Sequence, residues 1–270
     1  MPCSGRRQAF PAAGPRDPAV TAEPLDLERA GPTGTGATGT GATGTGATDA
    51  ATAGTGSTGA GASLADRAYA AIKDRLIMLD IRPGDPIDDD ALAGDLGVGR
   101  TPVREALKRL EGDRLVVSYP RRGTFATRVD ISDLADISEI RAQLEPLAAR
   151  RAAERAVRPA RAELTELAVR IERLKVSETD GTQLMRWDLT VHRAIYRAAG
   201  NSHLQDVLIR YDNLATRIFC LFLERLPTVD EHVREHVELL RAIAAGDADR
   251  AGDLAREHVL GFDRVIRAVI

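Results

Sequence analysis

Cysteine, aromatic side chains and long hydrophobic runs are all scarce in this chain of 270 residues. Its two cysteines, Cys3 and Cys220, suggest no disulfide framework, which is typical of a protein in a reducing compartment. No segment approaches the run of about 18 apolar residues that indicates a membrane span. The basic start at Arg6 and Arg7 lacks the apolar stretch of a secretory signal. The sequence therefore predicts a cytoplasmic protein that does not cross a membrane.

Large side chains are scarcest before Ser63, where residues 34–48 repeat the unit Gly-Thr-Gly-Ala-Thr three times. Such a tract has little apolar surface to offset the entropy that is lost when its backbone becomes ordered. Residues 1–62 are therefore predicted to form a disordered extension. Residues 63–129 and 130–270 are predicted to form two folded domains.

An excess of charge of one sign is also absent overall, since the net charge is −3. The charges are unevenly distributed, however. Residues 63–97 contain four Lys/Arg against eight Asp/Glu, whereas residues 98–128 contain eight Lys/Arg against three Asp/Glu. A sharp change of sign within one compact module indicates that one of its faces meets a polyanion.

The same segment has the pattern of three helices followed by a hairpin. Apolar spacing predicts a helix over residues 64–79, and Asp88 or Asp89 can cap a short second helix that ends at Gly97. Thr101, as N-cap, and Pro102, at the first helical position, predict the start of a third helix. Its buried stripe comprises Val103, Ala106, Leu107 and Leu110. Two strands, at residues 115–119 and 124–128, are predicted to form a wing around Pro120-Arg121-Arg122-Gly123.

Two helices joined by a short glycine-containing turn, the second basic at its N-terminal end, are typical of a helix-turn-helix. Arginines at such a helix start can read guanine edges in the major groove, and further cations neutralise phosphates. The predicted DNA contacts are Arg100, Thr101, Arg104, Lys108, Arg121, Arg122 and Gly123. The alternative is a small helical subdomain with ordinary surface arginines.

The run from Leu92 to Leu107, Leu-Ala-Gly-Asp-Leu-Gly-Val-Gly-Arg-Thr-Pro-Val-Arg-Glu-Ala-Leu, resembles the helix-turn-helix signature of the GntR family of bacterial regulators. Arg109-Leu110-Glu111 and Arg122-Gly123 continue the resemblance, which implies DNA contacts at Arg100, Thr101, Arg104 and Gly123. The family usually has serine where Gly99 stands. A hydroxyl that could contact a phosphate is therefore absent here.

After the wing, the chain is helical by pattern, without strand-like alternation. Predicted helices cover residues 131–156, 159–175, 182–199, 202–225, 229–245 and 247–268. A bundle of six or seven helices can enclose a ligand pocket. The fold class predicted for the whole chain is therefore mostly α: a winged helix-turn-helix followed by an all-α bundle.

Four polar residues of this bundle suggest a metal site. Asp188 and His192 are four residues apart and share one helix face, whereas His236 and His258 lie on separate predicted helices. One carboxylate and three imidazoles would bind a divalent transition metal such as Zn, Ni or Mn, with positions left open for a ligand. Spacing alone leaves the alternative that each histidine is an ordinary surface or core residue.

The segments Asp188–His192, Ala199-Gly200-Asn201 and Glu235-His236, together with the late His258, resemble the FadR-type C-terminal ligand-binding domain. That resemblance implies that Asp188, His192, His236 and His258 hold a metal and that the metal helps to bind a small carboxylate effector. It further suggests Arg141 and, more weakly, Arg217 as effector-binding residues.

Three more polar residues were assigned ordinary structural roles. An Arg141–Glu145 surface pair is the alternative to an effector contact. His232 is expected to be exposed, and His203 is expected to lie in the capping region of a helix.

The predicted function is a homodimeric transcription regulator, by default a repressor. It would bind a palindromic operator and respond to a small organic acid. No catalytic residues are predicted. The alternatives are a metal-dependent enzyme fused to a DNA-binding domain, and an architectural DNA-binding dimer without an effector.

Overall fold

The computed structural model describes residues 62–175, 178–226 and 229–270, so almost all of the predicted N-terminal extension lies outside the described residues. The described chain is mostly helical, with one small sheet, which confirms the predicted fold class. The first module contains α1 (Leu64–Ile77), β1 (Pro86–Ile87), α2 (Asp89–Leu96), α3 (Arg100–Gly112), β2 (Val116–Tyr119) and β3 (Gly123–Ala126). The second contains α4 (Asp133–Arg155), α5 (Arg158–Glu172), α6 (Gly181–Ala198), α7 (Ser202–Phe222), α8 (Val229–Ala245) and α9 (Ala248–Val269). We call them the winged-helix module and the helical module.

The helices of the winged-helix module begin and end at capping residues that can be recognised in the sequence. Ser63 and Asp66 form a capping box at the start of α1, and Asp88 accepts hydrogen bonds from two backbone amides at the start of α2. Gly97 ends α2 with a φ of 60°, a conformation that favours glycine. The predicted stripe of α3 is fully buried against α1 and α2.

The start of α3 differs from the prediction that Thr101 is its N-cap. The helix begins at Arg100, and the extended residue Gly99 is the N-cap, without a side-chain hydrogen bond. Pro102 therefore occupies the third helical position rather than the first. It is tolerated there because the first three amides of a helix have no carbonyl partner within the helix. Thr101 instead lies exposed in the first turn.

The wing is a three-stranded antiparallel sheet with the order β1-β3-β2. Tyr119 pairs with Gly123 across the hairpin, and Pro86 pairs with Phe125 on the other side of β3. The strand β1, in a segment predicted to be irregular, was missed. Its two residues are too few to show alternation, and pairing with β3 creates the strand.

Over its described residues, the helical module has six α-helices, as the sequence pattern predicts, and a short 3-10 helix at Leu223–Arg225. The helices α4 and α9 form its most extensive contact. Small buried side chains on α4, namely Ala148, Ala149, Ala152 and Ala153, suit the close packing of this helix among its neighbours. Within the described ranges, no helix is long and apolar enough to cross a membrane.

Three arginines of α6 and α7 connect the two modules. Arg186 of α6 donates to both carboxylate oxygens of Asp74 in α1, at 2.9 and 3.4 Å. Arg210 of α7 donates to the carbonyl of Gly112 at the end of α3, at 3.0 Å. Arg217, two turns further along α7, contacts Thr127 just after β3. The helix α6 therefore contacts α1, and α7 contacts the end of α3 and the segment that follows β3.

Candidate metal centre and nucleic-acid interface

All seven predicted DNA-contact residues lie exposed on the winged-helix module. Four of them are on α3, and three belong to the wing turn and the start of β3: Arg100, Thr101, Arg104, Lys108, Arg121, Arg122 and Gly123. The turn is tight, with positive φ values at Arg121 (62°) and Gly123 (90°). The helix α3, which is the recognition helix of the helix-turn-helix, and the tip of the wing both present cations to solvent. This arrangement is required for phosphate and base contacts.

Two acidic residues of α2 hold the arginines of the recognition helix. Arg100 Nε lies 2.7 Å from Asp90 Oδ1, and Arg104 Nε lies 3.0 Å from Asp89 Oδ2. The arginine side chains are 57% and 61% exposed. Ion pairs at such exposure contribute about 0–1 kcal/mol, so a phosphate or a guanine edge can replace them at small cost. The sequence reasoning missed this pairing because it depends on how α2 and α3 pack.

In the helical module, the four predicted metal ligands come together in the interior. Asp188 and His192 are contributed by α6, His236 by α8 and His258 by α9. Each is at most 4% exposed, and their potential ligand atoms all lie within 4.8 Å of one another. His192 Nε2 is 3.3 Å from the Nε2 atoms of both His236 and His258. Imidazole nitrogens that share one ion at 2.0–2.1 Å are about 3 Å apart, so this spacing fits a common metal.

The other nitrogen of each of these three imidazoles faces an acceptor. His192 Nδ1 is 3.0 Å from Glu145 Oε2, and His258 Nδ1 is 3.0 Å from Glu235 Oε2. His236 Nδ1 is 3.2 Å from the carbonyl of Val233. An acceptor at Nδ1 fixes the tautomer that leaves the Nε2 lone pair free for a metal. The residues present therefore fit a divalent ion.

The acidic ligand has an unsatisfied oxygen. Asp188 Oδ1 lies 3.6 Å from the Nε2 atoms of His192 and His236, yet it accepts no hydrogen bond of good geometry within the described residues. A buried carboxylate oxygen without a well-aligned hydrogen bond is costly. A cation at the centre of the cluster would remove that cost.

A buried ion-pair network adjoins the cluster. Arg141 donates to Glu145 Oε1 at 2.6 Å and to Asp212 Oδ1 at 3.2 Å. The pair of Arg141 and Glu145 is therefore buried, which corrects the alternative of a surface pair. Burial alone would raise the pKa of Glu145, but Arg141 and His192 outweigh it and hold that pKa at about 2. Burial raises the pKa of Asp212 to about 6.

Burial and neighbouring charges shift the pKa values of the imidazoles in different directions. Burial lowers the pKa of His192, but the carboxylates of Glu145 and Asp188 outweigh it and raise that pKa to about 9. Burial and the neighbouring His258 lower the pKa of His236 well below its ordinary value. The buried carboxylates thus favour a positive charge at His192, and a divalent cation that replaces its proton can supply that charge.

His232, predicted to be exposed, is in fact 6% exposed and belongs to this region. Its ring stacks on His258, and its Nε2 is 3.1 Å from Asp188 Oδ1. The expectation of exposure was wrong, because its position four residues before His236 places both on the same buried face of α8. His203, by contrast, is exposed in the first turn of α7, in the capping region as predicted.

Arg217 is buried at the junction of the two modules. It donates to both Oγ1 and the carbonyl oxygen of Thr127, each at 2.6 Å. Its Nε has no hydrogen-bond partner within the described residues, and burial lowers its pKa to about 10. Its predicted role as an effector contact is not tested by this geometry, which gives it a structural contact between the modules.

Two family models match the chain. "Bacterial regulatory proteins, gntR family" matches residues 64–126, and "FCD domain" matches residues 136–261. The first range holds the exposed arginines of α3 and the wing. The second holds the Asp/His cluster, and FCD domains often bind a metal.

Curated relatives match most of the chain. It is 27% identical over 199 residues to the HTH-type transcriptional repressor GlaR of Escherichia coli, covering 71% of this chain and 90% of that protein. It is also 27% identical over 190 residues to the Nta operon transcriptional regulator of Aminobacter aminovorans, covering 70% and 88%.

Solved structures share the fold. The structure titled E. coli McbR/YncC matches with a TM-score of 0.68 and 24% identity, covering 77% of this chain and 98% of that chain. A putative GntR regulator from Rhodococcus sp. RHA1 matches with a TM-score of 0.59 and 23% identity, covering 76% and 98%.

Proposed function

Because this chain belongs to the GntR family of transcription regulators and carries an FCD domain, we propose that it is a repressor whose operator affinity is set by a small carboxylate bound at a metal centre. The observation that carries the proposal is the arrangement of three imidazoles. Each directs Nε2 towards a common point while Nδ1 faces an acceptor.

The metal would be held by Asp188, His192, His236 and His258. Three imidazoles and one carboxylate are ligands suited to Zn, Ni or Mn. When bound, an ion that accepts five or six ligands supplies Lewis-acid positions that a carboxylate effector can occupy. Glu145, Glu235 and the carbonyl of Val233 hold the imidazoles in orientation, and the burial of the cluster excludes bulk water.

Arg141 is our leading candidate for an effector contact from the protein itself. It lies beside the cluster through Glu145, and a guanidinium can form two hydrogen bonds with a carboxylate. An effector carboxylate would compete with Glu145 and Asp212 for it. Arg217 remains a weaker candidate, since its nitrogens already hold Thr127.

The route from this site to the DNA-binding surface would follow α6 and α7. The helix α6 carries Asp188 and His192 as well as Arg186, which binds Asp74 in α1. The helix α7 carries Asp212 as well as Arg210, which binds the end of α3. A ligand that moves either helix therefore alters a contact with the winged-helix module. For regulation, the ligand must bind the two arrangements with different affinities.

We further propose that two copies pair and present two recognition helices to a palindromic operator. Symmetric pairing is the usual way in which a helix-turn-helix protein reads two half-sites. Arg100 and Arg104 would contact base edges, Thr101 and Lys108 the phosphates, and the wing would contact the backbone or the minor groove.

Fluorescence anisotropy with a duplex from the DNA flanking the protein's own gene tests this proposal. The full chain is titrated without additions, with Zn²⁺, Ni²⁺ or Mn²⁺, and with each metal plus a panel of mono-, di- and tricarboxylates. We expect preferential binding to the flanking duplex over a scrambled one, and about a 5- to 150-fold loss of affinity with the matching effector. An absence of any preference in every condition would overturn the regulator assignment.

The variant His236→Ala distinguishes a sensor from an architectural protein. Retained operator binding with loss of the effector response supports the sensor. If the wild-type chain contains no metal after purification, takes up none of the three ions and responds to none of the acids, the helical module is an assembly domain instead. His203→Ala, on an exposed surface, is the matched control and should behave as wild type.

A further inference from the structure

His232 adjoins the proposed metal centre without belonging to its ligand set. It lies on α8 one turn before His236 and is 6% exposed. Its Nε2 is 3.1 Å from Asp188 Oδ1, and its Nδ1 is 3.7 Å from Glu235 Oε2. Both of its nitrogens therefore lie near carboxylates, and the Nε2 contact is the shorter of the two.

Aromatic neighbours fix the plane of this ring. His232 stacks on His258 with centroids 4.0 Å apart and an interplanar angle of 14°. It also stacks on Phe262 with centroids 3.8 Å apart and an angle of 15°. Since His258 and Phe262 cannot both stack on one face of His232 at these distances, the ring of His232 lies between the other two rings.

This stacking excludes His232 as a further ligand of the same ion. A metal bound to an imidazole lies near the plane of the ring, about 2.0–2.1 Å from the nitrogen. The stacked rings of His232 and His258 lie in nearly parallel planes, which have no common point at that distance. Since His258 Nε2 is directed at His192 Nε2, 3.3 Å away, His258 is the member of the stack that can ligate. The same argument excludes a second ion shared by His232, Glu235 and His258.

The remaining role of His232 concerns Asp188. The oxygen Oδ1 of Asp188 lies 3.6 Å from two of the ligand imidazoles and 3.9 Å from the third. A carboxylate oxygen has two lone-pair directions, so one can serve an ion while the other accepts an N–H. Within the described residues this oxygen accepts no hydrogen bond of strict geometry, and the 3.1 Å approach of His232 Nε2 is the shortest of its four imidazole contacts.

We propose that His232 is a positioning residue of the metal centre. Its Nε2–H orients the carboxylate of Asp188 towards the ion, while Glu235, His258 and Phe262 hold the ring in place. The inference rests on the proposed metal centre and extends it by one residue outside the ligand set. Groups that hold a ligand by hydrogen bonds typically account for a 10- to 100-fold difference in metal affinity.

Two substitutions separate the hydrogen bond from the stacking. His232→Phe keeps an aromatic ring between His258 and Phe262 but has no N–H. His232→Gln loses the ring but keeps an amide N–H that can reach Asp188. His203→Phe makes the first change at an exposed histidine and is the matched control. The measurement is Zn²⁺ and Ni²⁺ affinity of the full chain in competition with a chromophoric chelator, with folding checked by circular dichroism.

We expect His232→Phe to weaken metal binding by about 10- to 100-fold, His232→Gln to remain within about threefold of wild type, and His203→Phe to leave it unchanged. Unchanged or tighter binding by His232→Phe would overturn the proposal. So would equal weakening by Phe and Gln, since stacking would then be the cause. If His232→Phe does not fold, His232→Asn, which is too short to reach Asp188, replaces it. A wild-type chain that binds neither ion is a failure of the metal centre itself and is recognised before any variant is compared.

Discussion

The two modules place their charged residues in opposite environments. In the winged-helix module, Arg100 and Arg104 are exposed and form surface pairs with Asp90 and Asp89. In the helical module, Arg141 is 4% exposed and is bound to buried carboxylates. Exposed charges can be exchanged one at a time with solvent or a ligand, because water already compensates them. Buried charges depend on one another, because each lone member retains the full cost of desolvation.

The largest expected effect follows from breaking the buried network. Arg141→Ala leaves Glu145 and Asp212 without their cation in the interior, so we expect a loss of about 3–5 kcal/mol in the free energy of unfolding. Urea denaturation monitored by circular dichroism measures it. Arg150→Ala on the same helix is the control, because the ion pairs of Arg150 within the described residues are with exposed carboxylates of α9, so this change should cost less than about 1 kcal/mol. Equal losses in the two variants would show that burial does not distinguish them.

The next largest effect is expected for the exposed arginines of α3, where a substitution should change DNA binding and leave stability unchanged. Arg100→Ala and Arg104→Ala should each weaken operator binding by about 1–3 kcal/mol, since each removes a base or phosphate contact. Unfolding free energies should stay within about 0.5 kcal/mol of wild type, because both side chains are exposed. Anisotropy and urea denaturation on the same samples test both statements. Arg67→Ala, an exposed change on α1, should affect neither quantity.

An effect of the same order is expected on regulation at the contact between the modules. Arg186→Gln removes the charge pair with Asp74, so the effector should lose about 1–3 kcal/mol of its influence on operator affinity. Metal affinity and operator affinity without effector should change by less than about threefold. Arg197→Gln on the same helix is the control, because Arg197 pairs with Glu163 inside the helical module. A full effector response in Arg186→Gln would show that the Arg186–Asp74 contact does not couple the effector site to the DNA-binding surface.

The smallest effect is expected from the acidic partners of the recognition helix. Asp89→Asn removes a negative charge that holds Arg104 and repels phosphate, so operator binding should strengthen by about 0.3–1 kcal/mol. The gain should shrink as salt is raised, because Arg104 is exposed and Asp89 is partly exposed. Asp95→Asn, which frees Arg75 of α1 instead, is the control. A loss of affinity in Asp89→Asn would mean that the pair pre-orients Arg104 for DNA.

The two modules also differ in how far their sequences predict them. In the winged-helix module, caps, apolar stripe and turn residues are adjacent along the chain, so its three helices and hairpin follow from local rules. The errors there are the N-cap of α3 and the strand β1. The strand β1 was decided by its pairing with β3, and the N-cap of α3 is Gly99, which caps without a side chain.

The interior of the helical module was predicted less completely. Periodicity located the six helices, and family resemblance selected Asp188, His192, His236 and His258 as ligands, but spacing alone left them indistinguishable from ordinary histidines. The environment of His232 was predicted incorrectly. Glu235 and Asp212 gave no local signal of their part in the cluster, because their partners are on other helices.

The sequence by itself determined the order of the helices, the basic recognition helix with its wing, and the residue types available for a metal. It did so because helical periodicity, capping and turn formation act over a few residues. Only the tertiary structure decided which imidazole nitrogens converge, that Arg141 is buried between two carboxylates, and that His232 stacks beside the cluster. Those features depend on how four helices pack, and packing brings together side chains that are distant along the chain.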